Sequence, residues 1–166
     1  MGDLTKPDWF NLRRITAADI PTVMEVRYAT TENPITEKEL EDHYSVTPEI
    51  ISKAIAKEET VGYLCEISSE VVGFGIGDTQ SGEVLVLAVH PKYEGRGIGK
   101  RVLSTLCKHR FEIGHKQLFL FTTPDINVRA YSFYQFQGWK GVEKVAEDSE
   151  RMTLNILDFH DYGITC

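Results

Sequence analysis

Residues 83–110, EVLVLAVHPKYEGRGIGKRVLSTLCKHR, constrain the rest of the chain most tightly. Val84 to Val89 form an unbroken apolar run, which suits a strand buried on both faces. A short polar connector containing Pro91 follows. Beyond it Ile98, Val102, Leu103, Leu106, Cys107 and Phe111 recur at helical spacing. Between strand and helix lies Gly95-Arg96-Gly97-Ile98-Gly99. The order strand, glycine turn, helix predicts an anion cradle. A helix N-terminus presents N–H groups without intrahelical partners and carries the positive end of the helix dipole, and glycines leave room for an anion at the backbone. Lys92, Arg96, Lys100 and Arg101 surround the turn with positive charge. Two nucleotide-binding patterns fail here. A Walker loop needs Gly where Glu94 stands and Ser or Thr where Arg101 stands. A dinucleotide fingerprint needs Gly or Ala at Val102 when started from Gly97, or Gly at Lys100 when started from Gly95.

Composition limits the function classes. The chain has 166 residues, 42% hydrophobic and 26% charged, which is one domain's worth of globular sequence. Its net charge of −7 argues against a general nucleic-acid binder. No apolar run approaches the roughly 18 residues of a membrane span, and the start of the chain lacks the apolar core of a signal peptide. Cys65, Cys107 and Cys166 show no metal spacing and no pairing pattern, so free thiols, a cytoplasmic location and no metal are expected.

Read in order, the chain predicts an α/β fold. A strand is expected over 10–15, then helices beginning near Thr16, Thr36 and Pro48. Thr36 and Glu39 stand at capping-box spacing. A hairpin over 61–77 should turn at Ser69-Glu70. After the central strand and helix, 116–122 reads as a buried strand, 128–137 as a helix ended by Gly138, and 139–145 and 151–157 as two closing strands. The sum is one mixed, mostly antiparallel seven-stranded sheet flanked by helices.

The glycine turn and its surroundings resemble the GNAT family of N-acetyltransferases. That family's pyrophosphate loop follows Gln/Arg-x-x-Gly-x-Gly/Ala, which falls here on Glu94-Gly95-Arg96-Gly97-Ile98-Gly99. Glu94 is the departure, standing where Gln or Arg is usual. Asn127-Val-Arg-Ala130-Tyr-Ser-Phe133-Tyr134-Gln-Phe-Gln-Gly138-Trp139 resembles a second motif of the family, and the similarity extends over 10–157. It implies a single acetyltransferase domain that uses acetyl-CoA. The pyrophosphate would lie on the backbone of Gly95 to Lys100. Leu87, Ala88 and Val89 would meet the pantetheine arm, with an N–H near Leu87 facing the thioester oxygen. Asn127 would contact pantetheine, and Tyr134 would protonate the departing thiolate.

Glu83, at the head of the apolar strand, resembles the general base of histone-type relatives. Period-2 alternation would put it on the face of Leu85, Leu87 and Val89. Arg27, Tyr28, Glu32 and Asn33 fall where relatives place acceptor contacts. The resemblance implies a small-molecule or peptide amine as acceptor and does not identify it; homodimers are common among relatives. The alternative from another class is a catalytically silent CoA-binding module.

Overall fold

In a computed structural model of the chain, the structure describes residues 10–30, 35–124 and 129–160. Strand β1 (Phe10–Arg14) leads into α1 (Ile20–Tyr28), α2 (Glu37–Tyr44) and α3 (Pro48–Ala56). Strands β2 (Thr60–Ile67), β3 (Glu70–Asp78) and β4 (Val84–Val89) follow, then α4 (Ile98–Glu112), β5 (Gln117–Thr122), α5 (Arg129–Phe136), β6 (Lys140–Ala146) and β7 (Ser149–Asn155).

Local chemistry explains most boundaries. The Thr36 N–H donates to Glu39 Oε2 at 2.8 Å, and the Glu39 N–H donates to Thr36 Oγ1 at 3.1 Å, closing the capping box that starts α2. The β2–β3 turn lies one residue earlier than the sequence suggested. Ser68 and Ser69 take φ of 51° and 67°, the paired positive values of a two-residue hairpin turn that matches strand twist. The last strand also starts earlier than expected, because β6 and β7 are joined by a tight turn at Glu147-Asp148 in place of a longer loop.

The expected single sheet is divided. Strands β1-β2-β3-β4 form an antiparallel four-stranded sheet, and β5-β7-β6 form an antiparallel three-stranded one. The two meet at one parallel bridge, Glu83 to Phe119, beside which the Phe119 N–H donates to Gly82 O at 3.2 Å. A bulge explains the parting. Ile76 pairs with Val86 but Gly77 pairs with Val84, so Leu85 is an extra residue on β4. A bulge bends and twists its strand, and here it carries β4 away from β5 beyond the bridge.

Three apolar clusters hold the layers together. Leu118, Leu120, Met152 and Leu154 of the small sheet pack on Leu103, Leu106, Cys107 and Phe111 of α4 and on Tyr134 and Trp139. Ile20, Val23, Met24 and Val26 of α1 pack on the opposite side against Leu64, Phe74, Ile76 and Ala88. Cys65, Val72, Ile98 and Val102 fill the third cluster, under the start of α4. Leu106 is fully buried and Leu157 is 92% exposed. Leu106→Ala should therefore lower the unfolding free energy by about 2–5 kcal/mol in urea titration, and Leu157→Ala should change it by less than about 0.5 kcal/mol. Equal small changes would contradict this core.

Candidate active site

The anion cradle grows out of the end of β4. The His90 N–H donates to Val72 O of β3 at 2.8 Å, and His90 Nδ1 accepts the Lys92 N–H at 3.2 Å, capping a short 3-10 turn over Pro91–Tyr93. Tyr93 is held by Glu70, to which its hydroxyl donates at 3.2 Å, and the Arg96 guanidinium lies over its ring at 5.1 Å. His90 thus serves the turn. Gly95 and Gly97 then take φ of 79° and 80°, a region costly for any residue with a Cβ. A Cβ built on either would meet nothing within 4 Å, so open space fronts both glycines.

Gly97 is the N-cap of α4, and no side chain caps that helix. The first intrahelical bond is donated by the Arg101 N–H to Gly97 O at 3.1 Å. The preceding first-turn N–H groups point out of the helix end toward the open space. Gly99 lies against the opposite wall: an added Cβ would stand 3.5 Å from Val89 Cγ2 and 3.7 Å from Phe133 Cζ, ordinary van der Waals contact that leaves room for little more than a methyl group. Arg101 turns aside, its guanidinium 5.5 Å from the ring centre of Phe10.

The cradle continues into an open strand edge. Antiparallel pairing makes backbone groups alternate in direction along a strand. His90 bonds to β3, and Ala88 pairs with Phe74. Leu87 and Val89 have the opposite parity, so their N–H and C=O groups point away from β3. Beyond the Glu83–Phe119 bridge β5 forms no ladder with this edge among the described residues. An extended ligand arm with amide groups can pair there as an added strand does.

Tyr134 reaches the same region from α5. It is buried in the cluster that Leu87 also touches, against the rings of Phe133 and Trp139 at 5.4 Å and 6.0 Å. Burial pushes its phenol pKa up, so it stays protonated at neutral pH. Cys107, in the same cluster, is also pushed up by burial, and burial raises Cys65 to about 11. Neither thiol is a ready nucleophile.

Glu83 lies on a different face from the one expected. The extra residue at Leu85 shifts the alternation, and Val84 packs in the cluster that Leu87 touches. Glu83, one residue before Val84, faces the other side, in line with Phe119 across the bridge. Desolvation raises its carboxyl pKa above the ordinary range, and the Asp78 charge adds to the shift. Its backbone is fixed by Ser81 Oγ, which accepts its N–H at 3.2 Å, and by the Asp78 N–H, which donates to its carbonyl at 2.8 Å.

Of the expected acceptor residues, Arg27 and Tyr28 end α1. Arg27 Nη1 donates to Thr30 Oγ1 at 3.0 Å, and the Tyr28 hydroxyl is buried with no hydrogen-bond partner among the described residues. Glu32, Asn33 and Asn127 lie outside the described residues. One contact was missed in the sequence. Arg129 Nη1, at the start of α5, donates to Glu94 Oε2 at 2.8 Å. The signal was a carboxylate in a phosphate loop, which calls for a cation.

Comparison with known proteins establishes the family and supports the fold. A model of the acetyltransferase (GNAT) family matches residues 22–139. An uncharacterized N-acetyltransferase of Methanocaldococcus jannaschii is 27% identical over 150 residues, covering 87% of this chain and 89% of its own. Among solved structures, the PaiA N-acetyltransferase from Thermoplasma acidophilum in complex with coenzyme A superposes with a TM-score of 0.75 at 21% identity. That match covers 88% of this chain and 98% of the other. The ribosomal-protein-S18-alanine N-acetyltransferase from Escherichia coli gives 0.70 at 17% identity, over 89% and 94%. The protein belongs to the acetyltransferase (GNAT) family.

Gly97→Asp would place a carboxylate at the cradle mouth and a Cβ at positive φ. Coenzyme A should raise the melting temperature of the native protein and leave this variant unmoved, with the far-UV circular dichroism of the two alike. An equal rise in both would place the ligand elsewhere.

Proposed function

We propose that this protein transfers an acetyl group from acetyl-CoA directly to the amine of a small molecule or peptide. The observation that carries the reading is the continuity of two features. The open edge of β4, with Leu87 and Val89 turned outward, runs straight into the uncapped, glycine-lined start of α4. One end suits a diphosphate and the other an amide-bearing arm. Acetyl-CoA supplies the activated acyl group as a thioester. Free CoA and larger acyl donors fit the same backbone features, and binding of the acetyl ester against its longer homologues distinguishes them.

Each residue then has one task. The cradle N–H groups from Gly95 to Lys100 hold the diphosphate, with Asn127 supporting the arm. The carbonyl groups of Leu87 and Val89 accept from the arm's amides, and Ala88 keeps the strand in register with Phe74. The Leu87 N–H faces the thioester oxygen and stabilises the negative charge that develops there. The amine nitrogen attacks the carbonyl carbon, a C–N bond forms and the C–S bond breaks. The amine's surplus proton passes to Glu83, directly or through water. Tyr134 donates to the departing sulfur. Buried, protonated Cys107 and Cys65 give no acyl-enzyme route. The acceptor would approach from the α1 side, the face on which Glu83 lies beside Phe119, with Arg27 and Tyr28 at the end of α1; Glu32 and Asn33 stay acceptor candidates from the sequence alone. Free buried thiols at Cys65 and Cys107 suit a reducing compartment, hence the cytoplasm. No described helix is long and apolar enough to cross a membrane.

Free-thiol release from acetyl-CoA across a panel of amines tests the function. Amine-dependent release that disappears in Gly97→Asp is expected. CoA binding with no release for any amine class would reduce the protein to a binding module. Tyr134→Phe should lower kcat by about tenfold or more, with the Kd for CoA nearly unchanged; unchanged turnover would remove Tyr134 from the chemistry. The base must be deprotonated to act. A raised Glu83 pKa therefore shifts the ascending limb of kcat/KM against pH above the ordinary carboxyl value of about 4.3. Glu83→Gln should abolish that limb, and a limb that survives would assign it to another group.

A further inference from the structure

The turn that delivers Glu83 to the head of β4 is closed on itself. The Asp78 N–H donates to Glu83 O at 2.8 Å, and inside this frame both carboxylate oxygens of Asp78 are engaged. Oδ1 accepts the Gln80 N–H at 3.2 Å, and Oδ2 accepts the Ser81 hydroxyl at 2.8 Å. Ser81 Oγ in turn accepts the Glu83 N–H at 3.2 Å. A line of hydrogen bonds thus runs from the Asp78 carboxylate through one hydroxyl to the main chain of Glu83. Outer contacts anchor the turn. The Thr79 N–H donates to Glu59 O at 2.9 Å and its hydroxyl to Glu58 O at 2.8 Å. His115 Nε2 donates to Thr79 O at 2.9 Å, and the Phe119 N–H donates to Gly82 O at 3.2 Å. The anchored turn leaves Glu83 little freedom beyond rotation of its own side chain.

We infer that Asp78 is the positioning residue of the Glu83 base, holding it through Ser81 at the head of β4 and placing a second negative charge beside it. The inference rests on the reading of Glu83 as the proton acceptor. Two neighbouring carboxylates disfavour each other's ionised form, and unequal surroundings decide which one gives way. Burial works against the Asp78 carboxylate, but the bonds from Ser81 and Gln80 and the Arg110 charge outweigh it and hold its pKa below the ordinary value. Desolvation and the Asp78 charge push Glu83 the other way. Asp78 therefore stays ionised, and Glu83 is the member of the pair that takes up a proton. The other charged groups around them are few. Arg110 is buried behind Gly77, where an added Cβ would stand 3.0 Å from its Nη2. Arg151 of β7 lies over the Phe119 ring at 4.9 Å. His115, Glu58 and Glu59 flank the turn through their bonds to Thr79.

Carbon-13 NMR titration of the side-chain carboxyls in the full chain tests this without an acceptor. The Glu83 signal is the one that Glu83→Gln removes. In the native protein its midpoint should lie above the ordinary glutamate value of about 4.3. In Asp78→Asn it should fall toward that value, because a proton leaves more easily once the neighbouring negative charge is gone. The asparagine Oδ1 can still accept from the turn. Ser81→Ala keeps the charge and cuts the link. Its midpoint should stay above the ordinary value, while kcat with the amine that releases thiol fastest falls about tenfold. The Kd for CoA should stay within about twofold in both variants, since loss of one exposed polar contact away from the cradle is worth little there. A Glu83 midpoint that Asp78→Asn leaves unmoved or raises would overturn the inference, as would a native kcat in Ser81→Ala. Survival of the ascending limb of kcat/KM in Glu83→Gln would overturn the reading of Glu83 as the base, and the inference with it. That outcome is recognisable because the midpoint would still move in Asp78→Asn.

Discussion

The structure depends on β4 being hydrogen-bonded along one edge only. A backbone donor or acceptor left without a partner in a protein interior costs free energy, and native folds rarely leave a strand edge unused. Here the edge is opened by one residue. The bulge at Leu85 ends the agreement between β4 and β5 just after the Glu83–Phe119 bridge. Beyond that point Leu87 and Val89 aim their polar groups into the gap, and the strand leads through a short turn into α4. The site is an interruption in the sheet that a ligand's own amides can complete.

The charge distribution follows the same logic. The chain carries −7 overall, which discourages indiscriminate binding of polyanions. On the proposed reading, recognition of one anion falls to fixed dipoles and to cations placed around a single helix end. Main-chain N–H groups supply the geometry, and the helix dipole adds attraction that is strongest within the first turn. Glu94, the acidic residue at the head of the loop, is paired with Arg129 at the start of α5.

Much of this was legible in the sequence, for reasons that can be named. The switch from a continuous apolar run to a 3.6-residue period at Ile98 marked β4, the cradle and α4. The Thr36–Glu39 spacing marked the start of α2. What escaped notice escaped for physical reasons as well. A bulge inside Val-Leu-Val-Leu is invisible, because both phases of the alternation are apolar and a skipped residue leaves the pattern unchanged. The face of Glu83 and the division of the sheet were lost with it. The Ser68-Ser69 turn was misplaced because neither serine advertises positive φ as glycine or asparagine would. The Glu94–Arg129 pair joins positions 35 residues apart, which no local pattern relates.

Amide hydrogen exchange, resolved residue by residue with and without CoA, tests the open edge most directly. Val86 and Ala88 already donate toward β3 and should be slow in both states. Leu87, Val89 and the first-turn amides of α4 should exchange quickly in the free protein and slow markedly when CoA is added. If Leu87 and Val89 are protected without ligand, or unchanged by it while CoA is bound, the edge of β4 is not where the coenzyme lies.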